Sequence, residues 1–317
     1  MAQLDELFDR VVTVGNAKGG VFKTTVVSNV GALLAAPDYP VLIVDLDPQG
    51  NIARDLGYID TPNDDKGREL TMALLESGSS DGTPVKPLKN VRPGLDVLMG
   101  GKWLHRVTPW LGQNPDLAKV SLREVLRPIA DQYELILVDL PPGDLSLRMA
   151  ALGASRWVLA PTKSDSASIQ GVTETVESMN EISVPGGANE SVELIGVLLV
   201  DSTVAGTQIK RTARLQLRRQ LQIEGEEMPE LFDSAIRHLE KVAQESRERG
   251  QLYHELEKEA ALQPRWWEVL NRSKSATSHI PDSASSAASD VKSVARELVT
   301  RITEAEQGTA GEVMSDE

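Results

Sequence analysis

Apolar residues along the chain fall into two alternating rhythms. Continuous runs at 11–14, 41–45, 135–139, 157–161 and 194–200 have the length and composition of strands covered on both faces. Between them apolar residues recur at helical spacing: Val26, Val27, Val30, Leu33 and Leu34 after the first run, then residues 69–76, 117–130 and 166–179. Pro128 should end the third of these helices early. Residues 95–99 read as a further strand and 231–236 as the last one, followed by helices over 239–249 and 252–262. Strand and helix in alternation predict an α/β fold: a doubly wound, mostly parallel sheet with helices on both faces. Residues 1–270 make one domain, with Trp266 and Trp267 docking its end. Residues 271–289, rich in Ser and Ala, read as a flexible linker. Val291, Val294, Leu298, Val299 and Ile302 then make the stripe of an amphipathic helix over 290–306, and 307–317 reads as a disordered acidic tail.

The first strand runs into Gly15-Asn16-Ala17-Lys18-Gly19-Gly20-Val21-Phe22, and a helical pattern opens at Lys23-Thr24-Thr25. Strand, glycine-bearing loop and helix in that order make an anion cradle, in which loop N–H groups converge and the helix presents its positive end. In such a loop Lys23 reaches the β- and γ-phosphates, and the Thr24 hydroxyl ligates Mg²⁺. Two other strands end in carboxylates. One is Asp45-Leu46-Asp47-Pro48-Gln49; taken alone it reads equally well as a polar turn with a helix cap at Asp47. The other is Asp139-Leu140-Pro141-Pro142, four apolar residues and then an aspartate, the layout that holds a Mg²⁺-bound water. In an open α/β sheet both ends face the phosphate loop.

Lys18-Gly19-Gly20-Val21-Phe22-Lys23-Thr24, followed in chain order by those two acidic motifs, resembles the deviant Walker A loop of the ParA/MinD family of partition and positioning ATPases. The resemblance extends over about 11–262 and is closer to ParA-type partition proteins. It implies ATP and Mg²⁺ as cofactors, bound by Lys18 through Thr25, and an ATP-dependent homodimer in which Lys18 crosses to the partner's nucleotide. It further implies that Asp45 positions the attacking water. Relatives contact adenine after the last strand, often through proline and asparagine; the corresponding positions here are Arg237 and Leu239. A ParB-like centromere-binding protein would trigger hydrolysis. A second departure is Phe22, where phosphate loops carry glycine. On the usual loop path Phe22 is left-handed, at a cost of about 1–2 kcal/mol, which would fall on the nucleotide-bound state if phosphate contact demands that path. Alternatively it sits at negative φ with its ring turned out. A non-hydrolysing scaffold of the same fold is therefore a rival reading.

Charge changes the picture in one place. The 317-residue chain carries a formal charge of −14, which excludes a uniformly basic nucleic-acid binder but not a local patch. Lys210, Arg214 and Arg218 lie four apart with Arg211 and Arg219 beside them, one cationic helix stripe. A solvated face would explain it; nonspecific DNA binding is favoured, because the corresponding region serves DNA in the resembling family. Ten residues precede the first strand, too few for a helix-turn-helix domain. The chain has no cysteine, and no apolar run reaches bilayer length. The expected location is therefore the cytoplasm, on the nucleoid. A MinD-like membrane reading rests only on the 290–306 helix, which lacks aromatic residues and whose basic residues are matched by acids, so docking on a partner or on this chain is favoured. Trp103, His105 and Trp110 are better explained by packing of a surface helix than by base stacking.

Overall fold

The continuous apolar runs become strands because neither of their faces meets water. In chain order the strands are β1 (Val11–Val14), β2 (Val41–Asp45), β3 (Leu88–Arg92), β4 (Leu95–Leu98), β5 (Leu135–Asp139), β6 (Trp157–Thr162), β7 (Glu193–Ser202) and β8 (Leu231–Arg237). Every residue of β1, β2, β5 and β6 is buried. Alternate side chains serve opposite layers: Val41, Ile43, Leu135 and Leu137 join one core, while Leu42, Val44, Ile136 and Val138 join the other. The computed structural model describes residues 6–77, 84–202, 231–262, 280–281 and 283–313, with Thr212, Leu215 and Leu217.

The eight strands pair in the order β3-β4-β2-β5-β1-β6-β7-β8. Every pair is parallel except β3 with β4 at one edge. This is the expected mostly parallel, doubly wound sheet. Helix α1 (Lys23–Leu34) packs on one face, where its Gly31 lets the backbone approach the sheet: a Cβ there would lie 2.9 Å from Ile43 Cδ1. The other face carries α3 (Arg68–Glu76), α4 (Val107–Gln113), α5 (Pro115–Leu126) and α6 (Leu145–Ala154). A short α2 (Asn51–Asp55) precedes them, and α7 (Ser166–Ile182) links β6 to β7. After β8 come α8 (Glu240–Arg249) and α9 (Tyr253–Leu262). The helix expected over 117–130 ends at Leu126, ahead of Pro128. Trp103 stacks under the Arg106 guanidinium at 4.1 Å, and Trp110 is partly buried on the α3–α6 core, so both pack locally.

The C-terminal region departs from the expected linker and short helix. Helix α10 spans Ala284–Val313, 30 residues, so it absorbs the end of the 271–289 segment and the start of the 307–317 tail. Residues 271–279 and 282, like Trp266 and Trp267, lie outside the described residues. The physical reason is alanine. Ala284, Ala287 and Ala288 continue the stripe of Val291, Val294, Leu298 and Ile302, and all of these are buried on the α1 face. Alanine is the best helix former, and its small side chain lets the helix lie close. The stripe is thus covered by the chain's own sheet and α9. Among the described residues no helix is long and apolar enough to cross a bilayer.

Candidate phosphate site

The loop between β1 and α1 leaves the sheet beside β5 and β6, so the ends of three neighbouring strands meet there. Its shape is fixed by a residue the sequence reading passed over. Asn16 is fully buried; its amide donates to Pro161 O at 2.8 Å and Ser168 O at 3.0 Å, and its Oδ1 accepts from Lys18 N at 2.8 Å. It pins the loop to β6 and α7, and the only sequence signal was an amide inside a glycine-bearing loop. The other wall is the turn after β5, where Gly143 N donates to Ala17 O at 3.0 Å. Gly20 takes φ 74, and a Cβ there would meet nothing within 4 Å.

Lys23 is buried, and its ammonium donates to Asn16 O at 2.8 Å and Lys18 O at 2.7 Å, which places it over the start of the loop. Burial lowers its pKa to about 8, with Asp139 and Asp47 opposing that effect, so it remains a cation at pH 7. The Thr24 hydroxyl donates to Asp139 Oδ2 at 2.7 Å. Lys18, by contrast, is exposed at the rim with Gly19 and Gly20, while Val21 and Thr25 are buried beneath.

Asp45 and Asp139 sit opposite each other in register at the ends of β2 and β5. Asp45 Oδ1 accepts from Asp47 N at 2.9 Å, and Asp47 Oδ1 in turn accepts from Gln49 N at 2.9 Å. Gly100 presses against Asp45 so closely that a Cβ would stand 2.5 Å from its Cγ. Asp45 Oδ2 and Asp139 Oδ1 are both buried without a partner. Burial raises the Asp45 pKa well above the usual carboxylate range, with the Asp139 charge adding to it. Burial pushes Asp139 up to about 7, against the lowering effect of the Thr24 hydroxyl. Two adjacent orphaned carboxylate oxygens next to a hydroxyl and an ammonium are a donor set that suits Mg²⁺ with its waters and a polyphosphate.

Phe22 adopts φ 62, ψ 18, the left-handed conformation, so of the two expected arrangements the chain takes the strained one. Phe22 and Leu239 both line a pocket of about 400 Å³ beside α8. Arg237 goes elsewhere. Its guanidinium is held by Asp290 of α10 (Nη2–Oδ1 2.8 Å) and donates to Ser286 O at 3.1 Å. The reason is a carboxylate 53 residues away that sequence spacing could not pair with it. Lys210, Arg211, Arg214, Arg218 and Arg219 lie outside the described residues; of their neighbours Thr212, Leu215 and Leu217 are helical, and Leu217 is buried against β7.

A parallel sheet with this loop, hydroxyl–carboxylate pair and acidic strand end defines a P-loop nucleotide-binding protein. A family model described as an AAA domain matches residues 9–193. The chromosome partitioning protein ParA of Caulobacter vibrioides is 33% identical over 194 residues, covering 60% of this chain and 68% of the relative. ParA of Myxococcus xanthus is 31% identical over 198 residues, covering 60% and 64%. The chain belongs to the ParA/MinD family of P-loop ATPases. Among solved structures a Cyanothece McdA–ATP complex superimposes with a TM-score of 0.64 at 20% identity, covering 78% of this chain and 90% of that one. The pNOB8 ParA bound to nonspecific DNA superimposes at 0.50 with 23% identity, covering 67% and 75%.

Proposed function

We propose that the chain is a ParA-like partition ATPase that dimerises around ATP, binds DNA of any sequence, and releases it when a ParB-like partner stimulates hydrolysis. The observation that carries this reading is the meeting of Lys23, Thr24–Asp139 and the orphaned Asp45 oxygen at one point, with Lys18 exposed beside them. ATP supplies the transferable phosphoryl group, and Mg²⁺ neutralises its charge. In this reading Lys23 and the loop N–H groups bind the phosphates, Thr24 and Asp139 hold the metal and its water, and Asp45 Oδ2 orients the attacking water. Among the described residues the Lys18 side chain makes no hydrogen bond or ion pair, which fits a role in a second subunit. The DNA role rests on the Lys210–Arg219 stripe and on what the pNOB8 ParA structure contains. The covered stripe of α10 favours DNA over a membrane surface as the place of work, and hence the nucleoid in the cytoplasm.

Light scattering with a non-hydrolysable ATP analogue and Mg²⁺ tests this. Wild type should shift from monomer to dimer and Lys18→Ala should remain monomeric. Equal dimer content in the two proteins would remove Lys18 from the interface. Nucleotide binding by wild type without dimer or turnover would favour the scaffold reading.

A further inference from the structure

We propose that Phe22 is a base-recognition residue whose ring forms a stacking wall for the nucleobase of the bound nucleotide. The inference rests on the nucleotide-binding reading above and adds a specificity element that a glycine at this position cannot supply. A bulky residue held at positive φ persists only where its surroundings over-determine it, and such residues gather at functional sites. Phe22, at that conformation, lines a pocket of about 400 Å³, within the range of small-ligand sites. Leu239 and Ala243 add apolar surface to the same pocket, and His238, Gln244, Arg247 and the carboxylates Glu240 and Glu248 contribute polar groups, with Gln244 donating to Glu248 at 2.7 Å. That is the chemistry of a flat ring with apolar faces and a hydrogen-bonding edge.

Position supports the same ligand. Phe22 is the residue next to Lys23, so the ring and the phosphate-binding ammonium come from adjacent backbone positions about 3.8 Å apart at Cα. One nucleotide can touch both. The walls are also tied together. Asp201 pairs with Lys163 at 2.5 Å and with the His238 imidazole. The Lys163 ammonium in turn stands 6.0 Å from the centroid of the Phe22 ring. One carboxylate thus braces the cation beside Phe22 and the histidine across the pocket, which pre-organises the site.

Calorimetric titration of wild type, Phe22→Leu and Phe22→Trp with a non-hydrolysable ATP analogue and with tripolyphosphate, both with Mg²⁺, separates base from phosphate recognition. Leucine keeps the apolar bulk and the backbone strain but not the aromatic face. Phe22→Leu should weaken the ATP analogue about tenfold, the scale of one base–aromatic stack, and leave tripolyphosphate unchanged. Phe22→Trp should retain ATP affinity, and its fluorescence should respond to the ATP analogue and not to tripolyphosphate, beyond the change seen in wild type. If Phe22→Leu leaves both affinities unchanged, or shifts both together, the stacking role is overturned. Binding of neither ligand by wild type would instead bring down the nucleotide reading itself.

Discussion

The conformation of Phe22 makes a quantitative prediction about where its strain is felt. The left-handed backbone is held by intramolecular contacts: Phe22 O accepts from Val26 N at 2.9 Å as α1 begins, and Lys23 Nζ clamps the loop start through Asn16 O and Lys18 O. The strain therefore belongs to the fold, and it is not charged to phosphate binding. Replacing Phe22 by Gly and by Ala deletes the ring in both cases, so the pair isolates the backbone. A non-glycine residue in this region costs about 1–2 kcal/mol, and glycine gives back roughly 0.5–1 kcal/mol through its freer unfolded chain. Phe22→Gly should thus be more stable than Phe22→Ala by about 1 kcal/mol, with Phe22→Asn between them because asparagine tolerates this conformation. The ring itself packs against the α1-side core. Its partial burial is worth on the order of 1–2 kcal/mol, so wild type and Phe22→Gly should lie close together. Urea midpoints of the four proteins at one pH are the assay. If Phe22→Ala matches or exceeds Phe22→Gly, residue 22 is not left-handed in solution and the reasoning fails. The impaired-loop expectation changes accordingly: Phe22→Gly is not expected to tighten ATP, since no strain is released on binding.

Three further outcomes are expected. Asp45→Asn should cut ATP turnover by roughly 10²–10⁴-fold while raising stability increasingly as pH climbs above the ordinary aspartate range, because it removes one of two facing carboxylates whose charged forms burial disfavours; unchanged turnover would remove Asp45 from the chemistry. Replacing both Arg214 and Arg218 by Glu should weaken binding to any duplex and flatten its dependence on salt; gel shifts at wild-type concentrations would refute the DNA role of the stripe. For Glu297, burial raises the pKa but hydrogen bonds from Ser234 and Asp233 outweigh it and leave it below the usual glutamate value. Its stabilising effect is then present above the unfolded pKa and lost as pH falls through the folded one. Glu297→Gln should cost about 1–2 kcal/mol at pH 7 and progressively less as pH falls through the folded pKa, read from denaturation midpoints over an acid pH series; a loss that stays constant across the series would show that the charge is irrelevant.

What could be read from the chain beforehand was whatever is encoded over short stretches. A strand buried on both faces must be apolar throughout, so β1, β2, β5 and β6 announce themselves, and so do the carboxylates that end β2 and β5. The phosphate loop is legible for the same reason: glycine, lysine and threonine at fixed spacing have one joint use. Strand β3 was not legible. Leu88-Lys89-Asn90-Val91-Arg92 is half exposed, contains Asn90 at φ 52, and is a strand only because β4 lies beside it. Helix α6 was missed although Asp144 caps it, accepting from Leu147 N at 3.0 Å, because the run after Pro141-Pro142 looks like a turn. The Arg237–Asp290 pair joins residues too distant in sequence for any spacing rule.

The C-terminal helix shows why periodicity could predict its apolar stripe and not its partner. Among the described residues strand β8 ends the sheet, and an edge strand carries backbone groups with no neighbouring strand to pair with, a liability in any α/β domain. Helix α10 supplies those partners from side chains. Glu297 accepts from Asp233 N and Ser234 N at 2.7 Å each and from the Ser234 hydroxyl at 2.6 Å. Arg301 donates to Leu231 O at 3.0 Å and is locked to Glu297 at 2.9 Å one helical turn away. The Arg301 guanidinium also lies 4.4 Å from the Phe232 ring centroid. A membrane-binding helix would have to present its apolar stripe outward, and leaving β8 would break its hydrogen bonds to Asp233 N, Ser234 N and Leu231 O. The charged residues that make the helix look balanced in sequence are the ones that hold it on the edge of the sheet.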